Sequence, residues 1–173
     1  MQKTGIVADL EDVPTTSFRR LFRHWMALTA RHGALPAWSQ FSIEAVTDLL
    51  PDISIVSHEK STGRFKIRRC GIDLVRFLGK NLAGRYVDEL TNGEAFNTGL
   101  CEMINHRQAY YFERYNAVGP HGKIGALGLF ILPLISEEGT APDHFMVASQ
   151  TRGVGSLNKL TLKEKATAKK AVA

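Results

Sequence analysis

The stretch DISIVSHEKSTGRFKIRRCG, residues 52–71, decides the fold. Asp52 to Ser57 and Arg64 to Cys70 alternate apolar and polar residues, the period of two that a half-buried strand requires. Between them Glu59-Lys60-Ser61-Thr62-Gly63 is polar and ends on glycine, which supplies the turn of a β-hairpin. Ile53 and Ile55, then Phe65 and Ile67, are the expected core-facing positions. Gly71 follows at once and opens a short helix from Ile72 to Leu78, with Leu74, Phe77 and Leu78 on one side and Gly79 as its stop.

Downstream, Lys80 to Gly84 reads as a loop and Tyr86 to Leu90 as a further helical turn. After Thr91-Asn92-Gly93 a longer helix runs from Glu94 to about Arg107, with Phe96, Leu100, Met103 and Ile104 at helical spacing. The last third is strand-like: Ala109 to Val118, Lys123 to Leu134 and His144 to Thr151, joined by turns at Gly119-Pro120-His121-Gly122 and Glu137-Glu138-Gly139. Two strands, several short helices and three more strands predict an α+β domain over residues 51–152. Its sheet is expected to be antiparallel and five-stranded, with helices on one face.

Upstream, residues 1–16 are expected to be a flexible lead and 17–50 a helical segment. From Ser17 to Arg31, Phe18, Leu21, Phe22, Trp25 and Leu28 fall on one face of a helix, and Arg19, Arg20, Arg23, Ala27 and Arg31 on the other. Thr16 or Ser17 caps its start and Gly33 ends it; a second short helix from Ser42 to about Leu49 stops at Pro51. Residues 153–173 are expected to be a basic, mobile tail, in which Thr161-Leu162-Lys163-Glu164 can form a capping box ahead of an alanine and lysine helix.

Composition bounds the function. The chain has 173 residues, 44% hydrophobic and 23% charged, enough for one core. No run approaches the roughly 20 apolar residues that span a bilayer, and the start has no secretion signal, so a cytoplasmic location is expected. Cys70 and Cys101 form neither a disulfide framework nor a metal motif, and read as small buried hydrophobes. Of the net charge of +5, the tail carries most, as five lysines against one glutamate.

The local words resemble a family of short PAS-domain proteins common in alphaproteobacteria and long catalogued as a domain of unknown function. The matching pieces are His24-Trp25, Arg31-His32-Gly33-Ala34-Leu35-Pro36, Leu49-Leu50-Pro51, Arg68-Arg69-Cys70-Gly71, Phe77-Leu78-Gly79 and Leu82-Ala83-Gly84-Arg85. They continue with Leu132-Pro133-Leu134-Ile135-Ser136 and Gly139, so the likeness covers roughly residues 22–150. The chain departs from the pattern after Pro36, where Ala37-Trp38-Ser39-Gln40-Phe41-Ser42 replaces a basic residue followed by an acidic residue and proline.

The resemblance implies a PAS fold and a role in signalling or regulation, with any ligand held between the sheet and the helices. Phe65, Ile67, Phe77, Tyr86, Leu100, Met103, Leu129, Ile131 and Val147 are the candidate lining, although any helix-covered sheet supplies such a list. Tyr86 stands out because a buried phenol needs a hydrogen-bond partner. The cofactor is left unknown. A haem would need an axial ligand, and His106 lies off the apolar stripe of its helix. A photosensing flavin of the light-oxygen-voltage type would need an Asn-Cys-Arg-Phe-like word that the chain lacks.

No catalytic residue and no metal ligand is assigned. Asp88-Glu89 and Glu137-Glu138 are explained by solvation, and no glycine run has phosphate-cradling spacing. Nucleic-acid binding would need a recognition helix or a basic patch interleaved with aromatics. The expectation is therefore a non-catalytic sensory module that binds a small apolar ligand or a signalling protein in trans, no output domain being encoded on this chain. It transmits through Ser17 to Arg31 and dimerises or docks through Phe18, Leu21, Phe22, Trp25 and Leu28. Two alternatives compete: a small isomerase-like enzyme using an inward His144 or Tyr111, and an adaptor lying on a membrane surface through the basic helix.

Overall fold

Thr15 begins the first helix: its Oγ1 accepts a hydrogen bond from the Phe18 amide at 3.2 Å, one residue earlier than expected. This helix, α1 (Thr16–His32), stops where Gly33 turns left-handed at φ 66°. The computed structural model describes residues 2–41, 46–91, 93–118, 124–137 and 139–153. The turn at residues 119–122, the expected tail helix and residues 42–45, the first half of the stretch expected as a helix from Ser42, lie outside the described residues; a 3-10 helix covers Thr47–Asp52.

Six strands make one antiparallel sheet: β1 (Gln2–Val7), β2 (Ile53–Glu59), β3 (Arg64–Arg69), β4 (Ala109–Val118), β5 (Ile124–Leu134) and β6 (His144–Gly153). Their order is β1-β4-β5-β6-β2-β3. The α+β class stands, with six strands where the sequence predicts five. Residues 2–7, expected as part of a flexible lead, pair with β4 from Gln2↔Arg114 to Val7↔Ala109. A glycine-containing hexapeptide whose partner lies a hundred residues away gives no local strand signal.

Alternation along the central strands divides the core into two layers. Phe130, Leu132, Leu134, Met146, Ala148, Ala109 and Tyr111 face α1, whereas Leu129, Ile131, Phe145, Val147, Tyr110 and Phe112 face α2 (Ile72–Leu78) and α3 (Glu94–His106). Helices thus cover both faces, α1 on one and the expected short helices on the other.

The apolar stripe of α1 is spent on this sheet. Phe18 stacks on Phe130 at 5.5 Å, Phe22 meets the same ring edge-on at 5.8 Å, and Trp25 stacks on Phe22. Phe18, Leu21, Phe22 and Trp25 are all buried and Leu28 is half-buried, at roughly 1.5–3 kcal/mol of stabilisation for each large side chain buried. The face expected to serve a dimer or partner is therefore an internal packing seam, because the sheet already removes it from water. The arginine face stays outside, with Arg20 paired to Asp48 and Arg19 donating to the Val13 carbonyl.

The hairpin of β2 and β3 forms as expected, with one correction. The hairpin closes with Glu59 opposite Arg64, so Val56 lies opposite Ile67 and His58 opposite Phe65; an irregularity between Ile55 and Val56 then sets Ile55 opposite Arg69. Directly opposed residues share a side. Ile53 and Ile55 consequently join the α1 layer while Phe65 and Ile67 join the other. The cysteines also differ from expectation: Cys101 is exposed on α3 and Cys70 half-buried.

Candidate functional site

Tyr86 decides which side of the sheet carries organised chemistry. It forms an antiparallel bridge with Lys66, so its side chain shares a side with Lys66, opposite to Phe65 and Ile67. Tyr86 therefore leaves the compartment where the sequence placed it, and Val87, fully buried, takes the inward position. The 84–86 segment is held along β3 by the Ile67 amide on the Arg85 carbonyl at 2.9 Å and the Gly84 amide on the Ile67 carbonyl at 2.7 Å.

On this outer side the Tyr86 hydroxyl donates to Glu59 Oε2 at 2.8 Å, and Arg64 lies over the ring, its Cζ 3.8 Å from the centroid. Glu59 Oε1 accepts from Arg68 Nη2 at 3.0 Å and lies 3.7 Å from Lys66 Nζ. Arg68 Nε donates to Ser57 Oγ at 2.6 Å. Arg64 grips Asp88 with two hydrogen bonds, at 2.8 and 2.7 Å, and reaches Glu89 at 3.0 Å. The Tyr86 hydrogen bond, aided by Lys66 and Arg68, holds the Glu59 carboxyl below its usual range, and the same bond pushes the Tyr86 phenol up. Asp88-Glu89, read from sequence as merely solvated, is thus an ion-pair partner.

This patch borders a second polar cluster. Asp143 is buried, and its carboxylate accepts from the Ser136 amide at 2.7 Å, from Ser136 Oγ at 2.8 Å and from His144 Nδ1 at 2.9 Å. Burial pushes this carboxyl up, but the hydrogen bonds from His144 and Ser136 outweigh it and leave the pKa below the ordinary value. The Asp143 carbonyl accepts the His58 amide at 2.8 Å, tying the β5–β6 connection to β2. Serine and histidine both bond the carboxylate rather than each other, so this trio lacks the serine-to-histidine contact that would activate a nucleophile. His144 pairs with Ser57 on the outer side, and Tyr111 meets Phe18 edge-on under α1. Neither enters the α2/α3 compartment, where the isomerase-like alternative needs it.

The compartment itself gathers seven of the nine expected lining residues, Phe65, Ile67, Leu100, Met103, Leu129, Ile131 and Val147. Phe77 stands apart, with its ring near Gly125, and Tyr86 lies outside as described. Phe145, Phe112 and His58 join the compartment or its margin: Phe145 meets Phe65 edge-on at 5.7 Å, and the His58 ring lies 4.9 Å from that of Phe65. Strict alternation along β4 and β6 would have found Phe112 and Phe145, whereas His58 comes to this side through the pairing of Glu59 with Arg64, which sets it opposite Phe65. His106 is exposed at the end of α3. Among the described residues no three His, Cys, Asp or Glu side chains group as a metal site, and no helix is long and apolar enough to cross a membrane.

The site thus stands on an antiparallel sheet with a layer of short helices between its second and third core strands, polar side chains ordered on its outer side and apolar ones packed on its inner side. The chain belongs to the PAS domain family, whose model matches residues 13–147. No curated protein matches it. Among solved structures it is similar to an RNA-binding light-oxygen-voltage receptor, with a TM-score of 0.54 and 12% identity over 99% of this chain and 44% of that one. It also matches a sensory box histidine kinase/response regulator from Burkholderia thailandensis at a TM-score of 0.44 and 12% identity, covering 74% of this chain and 96% of that one. The chain thus spans less than half the length of the receptor, and the likeness to that receptor concerns the fold.

Proposed function

We propose that the protein is a non-catalytic regulatory PAS module that docks a signalling protein in trans on the outer, polar half of its sheet. The observation that carries this reading is the division of that face. Where α1 lies the face is apolar and covered; beyond it, Ser57, Glu59, Arg64, Lys66, Arg68 and Tyr86 are held in place by one another. Pre-ordered polar side chains lose little entropy on association and give a partner a fixed pattern of donors and acceptors. The apolar compartment supports a second role, as the place where a small ligand alters the sheet from behind. That role is favoured by the His58 ring, a polar group at its margin.

The test is native mass spectrometry, with an absorbance spectrum, on the full chain purified from its own host, for the wild type and Glu59→Lys. A stoichiometric protein partner present with the wild type and lost in the variant is the expected result. A small bound mass or a visible chromophore retained equally by both proteins would move the functional site to the compartment behind the sheet.

A further inference from the structure

We propose that two copies of this chain associate through their β1 strands, antiparallel about a two-fold axis, joining two six-stranded sheets edge to edge. The two ends of the sheet are finished differently. At the β3 end the backbone groups of Ile67 are taken by the 84–86 segment, and Arg64, Lys66 and Arg68 line the edge. At the β1 end the strand is bonded on one side only, to β4, among the described residues. Its six residues carry a single charge, at Lys3, and Ile6 is 40% exposed. An uncovered, nearly uncharged edge offers a row of unpaired amides and carbonyls, and its complement is another strand.

The asymmetry of the two edges selects a second copy in a closed arrangement. Pairing β1 of one molecule with β3 of the next would build an open fibre, but the β3 edge is already taken at Ile67 by the 84–86 segment. Pairing β1 with β1 is self-complementary by symmetry and closes at two. In the antiparallel arrangement each Lys3 falls opposite an uncharged residue of the partner strand, so like charges are offset, and Ile6 gains a cross-strand neighbour. The homodimer expected from the sequence through α1 is thereby relocated, since the α1 stripe is buried.

Sedimentation equilibrium over a range of concentrations, combined with hydrogen exchange of the residue 2–7 amides, tests this on the full chain. The expected result is a reversible dimer, gain of protection with concentration at the β1 amides that point away from β4, and dissociation about tenfold easier for Ile6→Lys, a substitution at an exposed position. A strict monomer at every concentration overturns the proposal. So does a dimer that Ile6→Lys leaves unchanged. Concentration-independent protection of the β1 amides that point away from β4 also overturns it, because the strand is then covered by the chain's own remaining residues.

Discussion

Trp25 donates its indole Nε1–H to the carbonyl oxygen of Pro133 at 2.9 Å, a buried hydrogen bond between residues 108 positions apart in the chain. The two residues belong to the words His24-Trp25 and Leu132-Pro133-Leu134 that carry the family resemblance, and their contact gives that resemblance a physical cause. The Ile135 amide adds a second tie, to the Pro36 carbonyl at 3.1 Å. Together they fix the C-terminal half of α1 and the chain just after it to the end of β5.

Trp25→Phe keeps an aromatic ring in the seam but removes the donor, leaving the buried Pro133 carbonyl without it. Urea unfolding should show a loss of about 1–3 kcal/mol, against about 3–5 kcal/mol for Trp25→Ala, which also opens a cavity. Equal stability of wild type and Trp25→Phe would mean that packing alone holds the helix.

Gly71 and Gly99 mark two close approaches that differ in how they can yield. A side chain at Gly71 would stand 2.8 Å from the Asp52 carbonyl carbon and 2.9 Å from the Pro51 oxygen, both backbone; at Gly99 it would meet the Tyr110 ring at 2.9 Å. Backbone cannot move without disturbing the 3-10 helix before β2, whereas a ring can shift by a few tenths of an ångström. Gly71→Ala should therefore cost more than Gly99→Ala, about 2–3 kcal/mol against about 1 kcal/mol. Thermal melts showing the reverse order would contradict this account.

Asp143 holds the Ser136 amide and hydroxyl and the His144 ring, so Asp143→Ala strands several polar groups at once. The expected loss is about 2–3 kcal/mol, and Ser136→Ala, which removes one donor and leaves the amide bond in place, should cost about 1 kcal/mol. Amide exchange in the β5–β6 connection should rise in Asp143→Ala far more than in α1. Uniform acceleration over the whole chain would show that the cluster has no local role.

These positions also show what the sequence made legible. Helical spacing placed α1, α2 and α3, and Gly33 and Gly79 ended their helices as read, because those signals are local. Alternation located the five core strands for the same reason. Tyr86 went to the wrong side because its direction depends on its bridge to Lys66, and Phe65 and Ile67 were separated from Ile53 and Ile55 by the pairing of Glu59 with Arg64, a register that depends on the turn's exact length and that composition does not betray. β1 was missed because its strand character comes from β4. The polar network was missed because its members are scattered from Ser57 to Glu89 and only the outer side of the sheet brings them together.

Asp52 supplies the pH dependence. Its Oδ1 is buried without a hydrogen-bond partner, and Asp73 of α2 lies beside it. Burial first, then the hydrogen bond and the charge of Asp73, push its carboxyl up to about 6 from the ordinary 3.8. The other neighbouring charges are engaged elsewhere: Asp48 with Arg20, Arg76 with Asp73, and Arg69 with the Leu50 carbonyl. Because the folded pKa is raised, the stabilisation linked to the bound proton is complete below about pH 4 and is lost as pH rises through about 6. Asp52→Asn should therefore flatten the fall in stability across that window and become the more stable form near neutrality. Denaturant midpoints measured at about pH 4.5 and about pH 7 decide it. A difference between variant and wild type that is the same at both pH values would assign the Asn effect to packing and not to the shared proton.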